Sequence, residues 1–227
     1  MISPYDWQES VHQRAGYIEA RLRGGSPVVG LGITDGVLLF TYRKQVRKVY
    51  EVYDRLAFSA IGQQADVESL RLTAVDFAHQ EGYSRSEEDV TIGRVVGFAL
   101  SSPLRRAFGD ITTAPFVINA LFAEMNRAPA DDLFFKLRYD GDFEVHHQYA
   151  CIAGTPEAEE RMTTLLVSRY DPQMDLDAAR SLADEVWRVG ADRDADGTVD
   201  SSLMQGARQE VALLDRRTAR ERKFRHL

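Results

Sequence analysis

Residues 26–62, SPVVGLGITDGVLLFTYRKQVRKVYEVYDRLAFSAIG, constrain what this chain can fold into more than any other stretch. Two short apolar runs, 28–33 and 37–40, flank Asp35-Gly36. β-branched and large apolar residues on both sides of an Asp-Gly pair are the strongest short-range signal for a β-hairpin. A polar, basic stretch follows, and Val49, Tyr50, Val52 and Tyr53 then lead to a third apolar run, 56–61, closed by Gly62. The pattern predicts a buried hairpin that opens the core and two more short strands behind it.

The remaining chain alternates between helical and strand periodicities. Residues 5–23 carry Trp7, Val11, Tyr17, Ile18 and Leu22 at helical spacing among charges, after Ser3-Pro4, which predicts an amphipathic leading helix. Residues 63–83 and 91–109 predict two more helices. The second carries Ser101-Ser102-Pro103, expected to kink or restart it. Strands are predicted at 115–125, 133–139 and 143–153, the last two joined across Asp140-Gly141. Helices at 156–170 and 176–189 and a strand at 211–215 complete the order. Strands, two helices, strands, two helices and a closing strand add up to an α+β, four-layer αββα sandwich, two antiparallel sheets between helical layers.

Composition narrows the function classes. A chain of 227 residues, 44% of them hydrophobic, buries a sizeable core, and no Pro/Gly/Ser-rich linker divides it. One domain over 1–227 is expected, with 1–25 as a leading segment and 26–227 as a core with a basic tail. A net charge of −7 speaks against a nucleic-acid binder. Six basic residues lie in 216–225, but Phe224 is the sole aromatic among them, so a closing strand or exposed tail is the simpler reading. The single cysteine, Cys151, sits in an apolar run and excludes a disulfide framework. His146-His147 lie on a predicted strand, where adjacent side chains point to opposite faces and cannot share a metal ion. No cofactor is expected. MISPYDWQES is not a secretory leader, and no apolar stretch approaches a membrane span; a cytoplasmic protein with no membrane partner follows.

Asp192, Asp194, Asp196, Gly197 and Asp200 match the first nine places of a calcium-binding loop. The twelfth place is Leu203, and a strand is expected to follow. Calcium held by Asp192, Asp194, Asp196 and Asp200 stands beside a solvated acidic loop as the alternative.

The hairpin, the Lys48-Val49-Tyr50 step, the Tyr53-Asp54-Arg55 turn and the apolar strand closed by Gly62 resemble the opening of a proteasome subunit, most closely the α-type subunits of actinobacterial proteasomes. FAHQEGY at 77–83, EEDVTIGRV at 87–95, PFVINALFAEM at 115–125, FFKLRYDGDF at 134–143, IAGTPEAEERM at 152–162 and EVALLDRRTARERKFRHL at 210–227 extend the likeness over nearly the whole chain. The resemblance implies the N-terminal-nucleophile hydrolase fold. It implies a non-catalytic subunit that forms a heptameric ring, stacks on threonine-protease β-type subunits, gates the passage of protein substrates and docks an AAA+ ATPase or other ring-shaped activator. The leading helix with Tyr5, Asp6 and Trp7 would lie at the gate, although family members elsewhere carry Tyr-Asp-Arg where this chain has Tyr5-Asp6-Trp7. Lys48, with Gly62 at a strand-to-helix junction, would form the pocket that pairs with an activator's C-terminal carboxylate. The chain's own Arg-His-Leu end lacks the apolar-Tyr-any pattern of docking tails, so it would receive such tails.

The same likeness places Ser26, after Gly25, where catalytic β-type subunits free a threonine as an N-terminal nucleophile. In a self-processing hydrolase Ser26 and Lys48 would be catalytic. Tyr42 stands where a carboxylate is expected, and Ile152-Ala153-Gly154-Thr155 lacks the expected serine, which leaves the lysine alone. A proteasome-like ring without a protease partner is a third reading.

Overall fold

The computed structural model describes residues 4–192, 195–219 and 222–227. Helix α1 (Pro4–Leu22) leads into strands β1 (Val28–Ile33), β2 (Gly36–Arg43), β3 (Val49–Tyr53) and β4 (Leu56–Gly62). Helix α2 (Gln64–Ser84) and a composite helix over 92–109 come next, then β5 (Ile118–Glu124), β6 (Leu133–Arg138), β7 (Phe143–His147) and β8 (Tyr149–Ile152). Helices α3 (Pro156–Arg169), α4 (Leu176–Ala191) and α5 (Ser201–Met204) precede β9 (Arg208–Asp215) and β10 (Phe224–His226).

Two five-stranded antiparallel sheets result, ordered β10-β9-β2-β1-β8 and β3-β4-β5-β6-β7. The continuous apolar runs are explained by burial on both faces. Val29, Leu31, Ile33, Leu38 and Phe40 pack toward α3 and α4. Val28, Val37 and Leu39 face Leu121, Ala123 and Phe134 of the other sheet. Phe58, Ala60, Ala120 and Phe122 meet α2 and the composite helix. Strand periodicity thus divides one apolar run between two layers, and the four-layer sandwich expected from the sequence is formed. Among the described residues no helix is long and apolar enough to cross a membrane.

The helices carry the signals that begin them. Thr155 caps α3, its hydroxyl accepting from Ala158 N–H at 3.3 Å with Pro156 at the first position, and Asp175 caps α4 by accepting from Ala178 N–H at 2.8 Å. In α4, Ala179, Leu182, Ala183, Val186, Trp187 and Gly190 form one buried face. The leading helix is anchored more lightly, by Ile18 and Leu22 in the inter-sheet core, while Trp7 and Tyr17 are about half exposed. Arg14 fastens it by donating to the carbonyls of Ala107 and Phe108 at 2.8 and 3.1 Å, in the last turn of the composite helix, and to that of Thr113 at 2.8 Å in the loop beyond.

Several expectations are corrected. The strand expected over 143–153 is two strands in different sheets: β7 pairs with β6, β8 with β1, and Gln148 between them has φ of 69°. The kink expected at Pro103 is a widened π segment over 95–100 inside a continuous helix. Proline offers no N–H and crowds the carbonyl four residues back, which a wider turn accommodates. The first hairpin turns on Thr34-Asp35, with Gly36 already paired to Ile33. The fifth strand starts at Ile118 instead of 115, and Leu203 lies in the short helix α5, not beside a strand. Tyr5 and Asp6 fall in the first turn of α1, but their side chains lie outside what is described, as does Asp194 altogether.

Arg216, read from sequence as part of a closing strand or exposed tail, is instead a largely buried clamp. Its guanidinium meets fully buried Asp132 at 2.5 and 3.2 Å and the Asn126 carbonyl at 2.7 Å, and Asp132 also accepts from Asn126 N–H at 2.8 Å. This pair ties the turn after β9 to the loop between β5 and β6. Arg217 pairs with Asp35 at the surface. Arg216→Met leaves Asp132 buried without its partner and is expected to cost about 3–5 kcal/mol. Arg217→Ala is expected to cost less than about 1 kcal/mol. Denaturant unfolding of the two variants checks the contrast.

Candidate functional site

The site builds outward from the crossing between sheets. β2 ends at Arg43 in one sheet and β3 starts at Val49 in the other. Between them the basic loop is fixed by Glu210 of β9, a carboxylate 4% exposed, which accepts from the N–H groups of Lys48 at 2.9 Å and Val49 at 3.4 Å. The Lys48 side chain thereby turns inward. Its ammonium donates to the Ser26 carbonyl at 2.7 Å and to Thr41 Oγ1 at 3.3 Å. Burial pushes its pKa down to about 7, with Glu210 pulling weakly the other way.

Ser26 begins the first hairpin, and its hydroxyl is fully engaged. It donates to the Tyr42 carbonyl at 2.7 Å and accepts from Trp187 Nε1 at 3.1 Å, while Thr41 Oγ1 donates to the Pro27 carbonyl at 2.6 Å. The Tyr42 hydroxyl donates to Asp184 at 2.7 Å, and burial together with that carboxylate raises its pKa. Trp187 itself is wholly buried on α4.

Lys48, Ser26 and Gly62 line one cavity of about 610 Å³, along with the loop 42–47, Gln64 and Val67 of α2, and Leu203. At Gly62 the backbone has φ of 152°, and a Cβ there would run into the Val117 carbonyl oxygen. Only glycine lets the chain leave β4 and enter α2 at this angle. Gln63 leaves the first turn of α2 without a side-chain cap, so its leading N–H groups add positive character beside the cavity.

The family resemblance grouped Lys48 with Gly62 as a pocket and Ser26 with Lys48 as an alternative catalytic pair, and all three line this one cavity. The sequence reading missed Thr41, Trp187 and Glu210, whose partners lie up to 162 residues away along the chain. No local pattern marks a contact of that separation. Trp7 lies on α1 outside this cavity's lining. Asp192, Asp196 and Asp200 turn their carboxylates onto nearby backbone: Asp192 accepts from Asp196 and Gly197 N–H at 3.2 and 2.9 Å, Asp196 from Thr198 at 2.8 Å, and Asp200 from Ser202 at 2.7 Å. Among the described residues no group of three or more acidic, histidine or cysteine side chains is placed to hold a metal ion. His146 pairs with Glu144 on β7 at 3.1 Å. Cys151 is buried on β8, its thiol pushed up to about 12 by burial, which leaves it a small apolar filler.

Residues 23–201 match the family model described as Proteasome subunit. The chain is 32% identical over 226 residues to the proteasome subunit alpha of Acidothermus cellulolyticus, covering 99% of this chain and 91% of that protein. It is 29% identical over 231 residues to the proteasome subunit alpha of Kineococcus radiotolerans, covering 100% and 92%. Against the proteasome subunit alpha of Streptomyces scabiei the identity is 28% over 228 residues, covering 100% and 87%.

The junction at Gly62 makes a direct prediction. Gly62→Ala is expected to destabilise the chain by about 1–3 kcal/mol through forced backbone conformation. Gly16→Ala, in α1 with nothing within 4 Å of the new methyl group, is expected to be neutral or stabilising by up to about 1 kcal/mol. Thermal unfolding of the two variants separates them.

Proposed function

The chain belongs to the proteasome subunit family as an α-type member, and from there we propose that it forms a heptameric ring that admits protein substrates to a chamber of β-type protease subunits and docks an activator, working in the cytoplasm. The single observation that carries the docking part is the shared cavity: the inward-turned Lys48 ammonium and the Gly62 junction line the same space. A C-terminal carboxylate entering it would meet a buried cation and the uncapped first turn of α2, two features that each favour an anion. The partner in this reading is an AAA+ ATPase or another ring-shaped activator.

The gate is assigned to the start of α1, with Tyr5, Asp6 and Trp7. Its support is mechanical: α1 is tied down by Ile18, Leu22 and Arg14 toward its C-terminal half, while Trp7 is about half exposed near its beginning. A helix anchored at one end can present the other at an opening.

A non-catalytic role is favoured over a Ser26 hydrolase by two features. The Ser26 hydroxyl already donates to one group and accepts from another, so no base is in place to take its proton. Cleavage before Ser26 would also detach α1, whose Ile18 and Leu22 fill the inter-sheet core. The chain is one domain in this account, 1–25 supplying the gate segment and 26–227 the core.

Docking through Lys48 has a pH signature. Only the charged amine pairs with a carboxylate, and burial in the pocket brings that amine to about 7. Above that value binding must take up a proton, so affinity for a short peptide with a free C-terminal carboxylate should fall with rising pH, by at most about tenfold per pH unit. Titration from about pH 6 to about pH 9, followed by fluorescence anisotropy, checks the slope. The amidated peptide should bind weakly throughout, and Lys48→Met should remove both the binding and its pH dependence. A flat profile for the wild-type chain would contradict the assignment.

A further inference from the structure

The cavity around Lys48 has the opposite sign to the chain that builds it. The sequence carries 35 acidic and 28 basic residues. Yet Arg43, Lys44, Arg47 and Lys48 line this cavity, and no Asp or Glu does. Arg43 is partly offset by Glu210 at 3.7 Å. Lys44 and Arg47 are exposed and have no ion-pair partner among the described residues. Arg222 and Arg225 of the C-terminal segment, by contrast, pair with Glu51 at 2.7 Å and Asp215 at 3.1 Å. Two unpaired cations thus stand together on the loop that lines the cavity.

The rest of the lining mixes polar Ser26, Gln45, Gln64 and Ser202 with apolar side chains. Ala60 and Ile61 of β4, Val67 of α2 and Leu203 of α5 give the cavity a floor below its basic rim. A second cavity among the described residues is a contrast. About 920 Å³ lie between α1, β6 and α3, where Glu19, Glu157, Glu159 and Glu160 mix with Lys136 and Arg138. Lys136 there is already paired with Glu159 at 2.6 Å and Glu144 at 3.1 Å. Lys136 in that groove is compensated, whereas Lys44 and Arg47 at the Lys48 cavity have no ion-pair partner among the described residues.

A single terminal carboxylate occupies Lys48 and leaves Lys44 and Arg47 facing solvent above it. A volume of about 610 Å³ also admits several residues of extended peptide, more than one carboxylate needs. We propose that the natural occupant is an acidic C-terminal segment of a partner protein. Its terminal carboxylate meets Lys48, an apolar side chain covers Ile61 and Val67, and at least one Asp or Glu a few residues upstream meets Lys44 and Arg47. This rests on the docking reading above and adds the chemistry of the tail. Because the upstream contacts lie at a solvent-exposed rim, they act mainly on association rate and salt dependence.

The test uses the assembled full-length protein and three labelled peptides of about eight residues. One has a free carboxylate and neutral upstream residues, one has a free carboxylate with two upstream glutamates, and one is the acidic peptide amidated. In about 50 mM salt the acidic free-acid peptide should bind at least about fivefold tighter than the neutral one, and in about 500 mM salt the advantage should shrink below about twofold. The double substitution Lys44→Gln and Arg47→Gln should erase the advantage, so that the acidic and neutral free-acid peptides bind this variant with affinities within about twofold of each other. Equal binding of the neutral and acidic peptides in low salt overturns this inference while the docking assignment survives. Failure of every free-acid peptide to bind overturns both. If the amidated acidic peptide, or free pyrophosphate in competition, matches the acidic free-acid peptide, the rim is a general anion site and the inference is overturned on its identification of a protein tail.

Discussion

Glu210 is the constraint on which the functional end of this molecule depends. A nearly buried carboxylate on β9 of one sheet accepts two N–H groups at the start of β3 in the other. Those bonds fix the point at which the chain crosses between layers. With the crossing fixed, the loop 44–47 is held at the surface while Lys48 turns inward onto the Ser26 carbonyl. Without them a run of four cations within six residues would be a solvated loop, since mutual repulsion and hydration both favour dispersal. Charge-assisted hydrogen bonds from the backbone thus convert a sequence feature with little inherent meaning into a lined cavity. The same crossing leaves room for Gly62 to turn β4 into α2 on the opposite wall.

The electrostatics of that cavity follow from the packing around it. Burial of Lys48 brings its pKa close to neutrality, and the hydroxyls of Ser26 and Thr41 are spent on carbonyls and on the Trp187 indole. The hydroxyls of Ser26 and Thr41 are therefore held by the fold, and Lys48 is the titratable group beside them, which is the basis for the proposed role as an anion receptor. The network also spans three layers, since Ser26 opens β1, Trp187 belongs to α4 and Lys48 precedes β3. The site is thereby coupled to the integrity of the whole sandwich.

Much of the architecture was legible in the residues. The apolar runs at 28–33 and 56–61 had the length of buried strands, and the helices read over 156–170 and 176–189 fall over Pro156–Arg169 and Leu176–Ala191. Where reading failed, the reason was nonlocal. Residues 143–153 look like one strand because nothing in their composition marks the left-handed Gln148 at which the chain changes sheets. Arg216 sits among exposed arginines and differs only in finding Asp132. The site shows the same division: Lys48 and Gly62 were reached through family likeness, Thr41 meets Ser26 and Pro27 across the first hairpin, and Trp187 and Glu210 emerge only when distant segments pack.

The native mass of the purified assembly, taken together with the intact mass of its subunit, bears most directly on the account. A subunit that keeps its full 25.6 kDa, with the residues ahead of Ser26 attached, in a heptameric ring or stacked rings is the predicted result. A subunit that begins at Ser26, or a chain that stays monomeric at concentrations where the fold is intact, would contradict it.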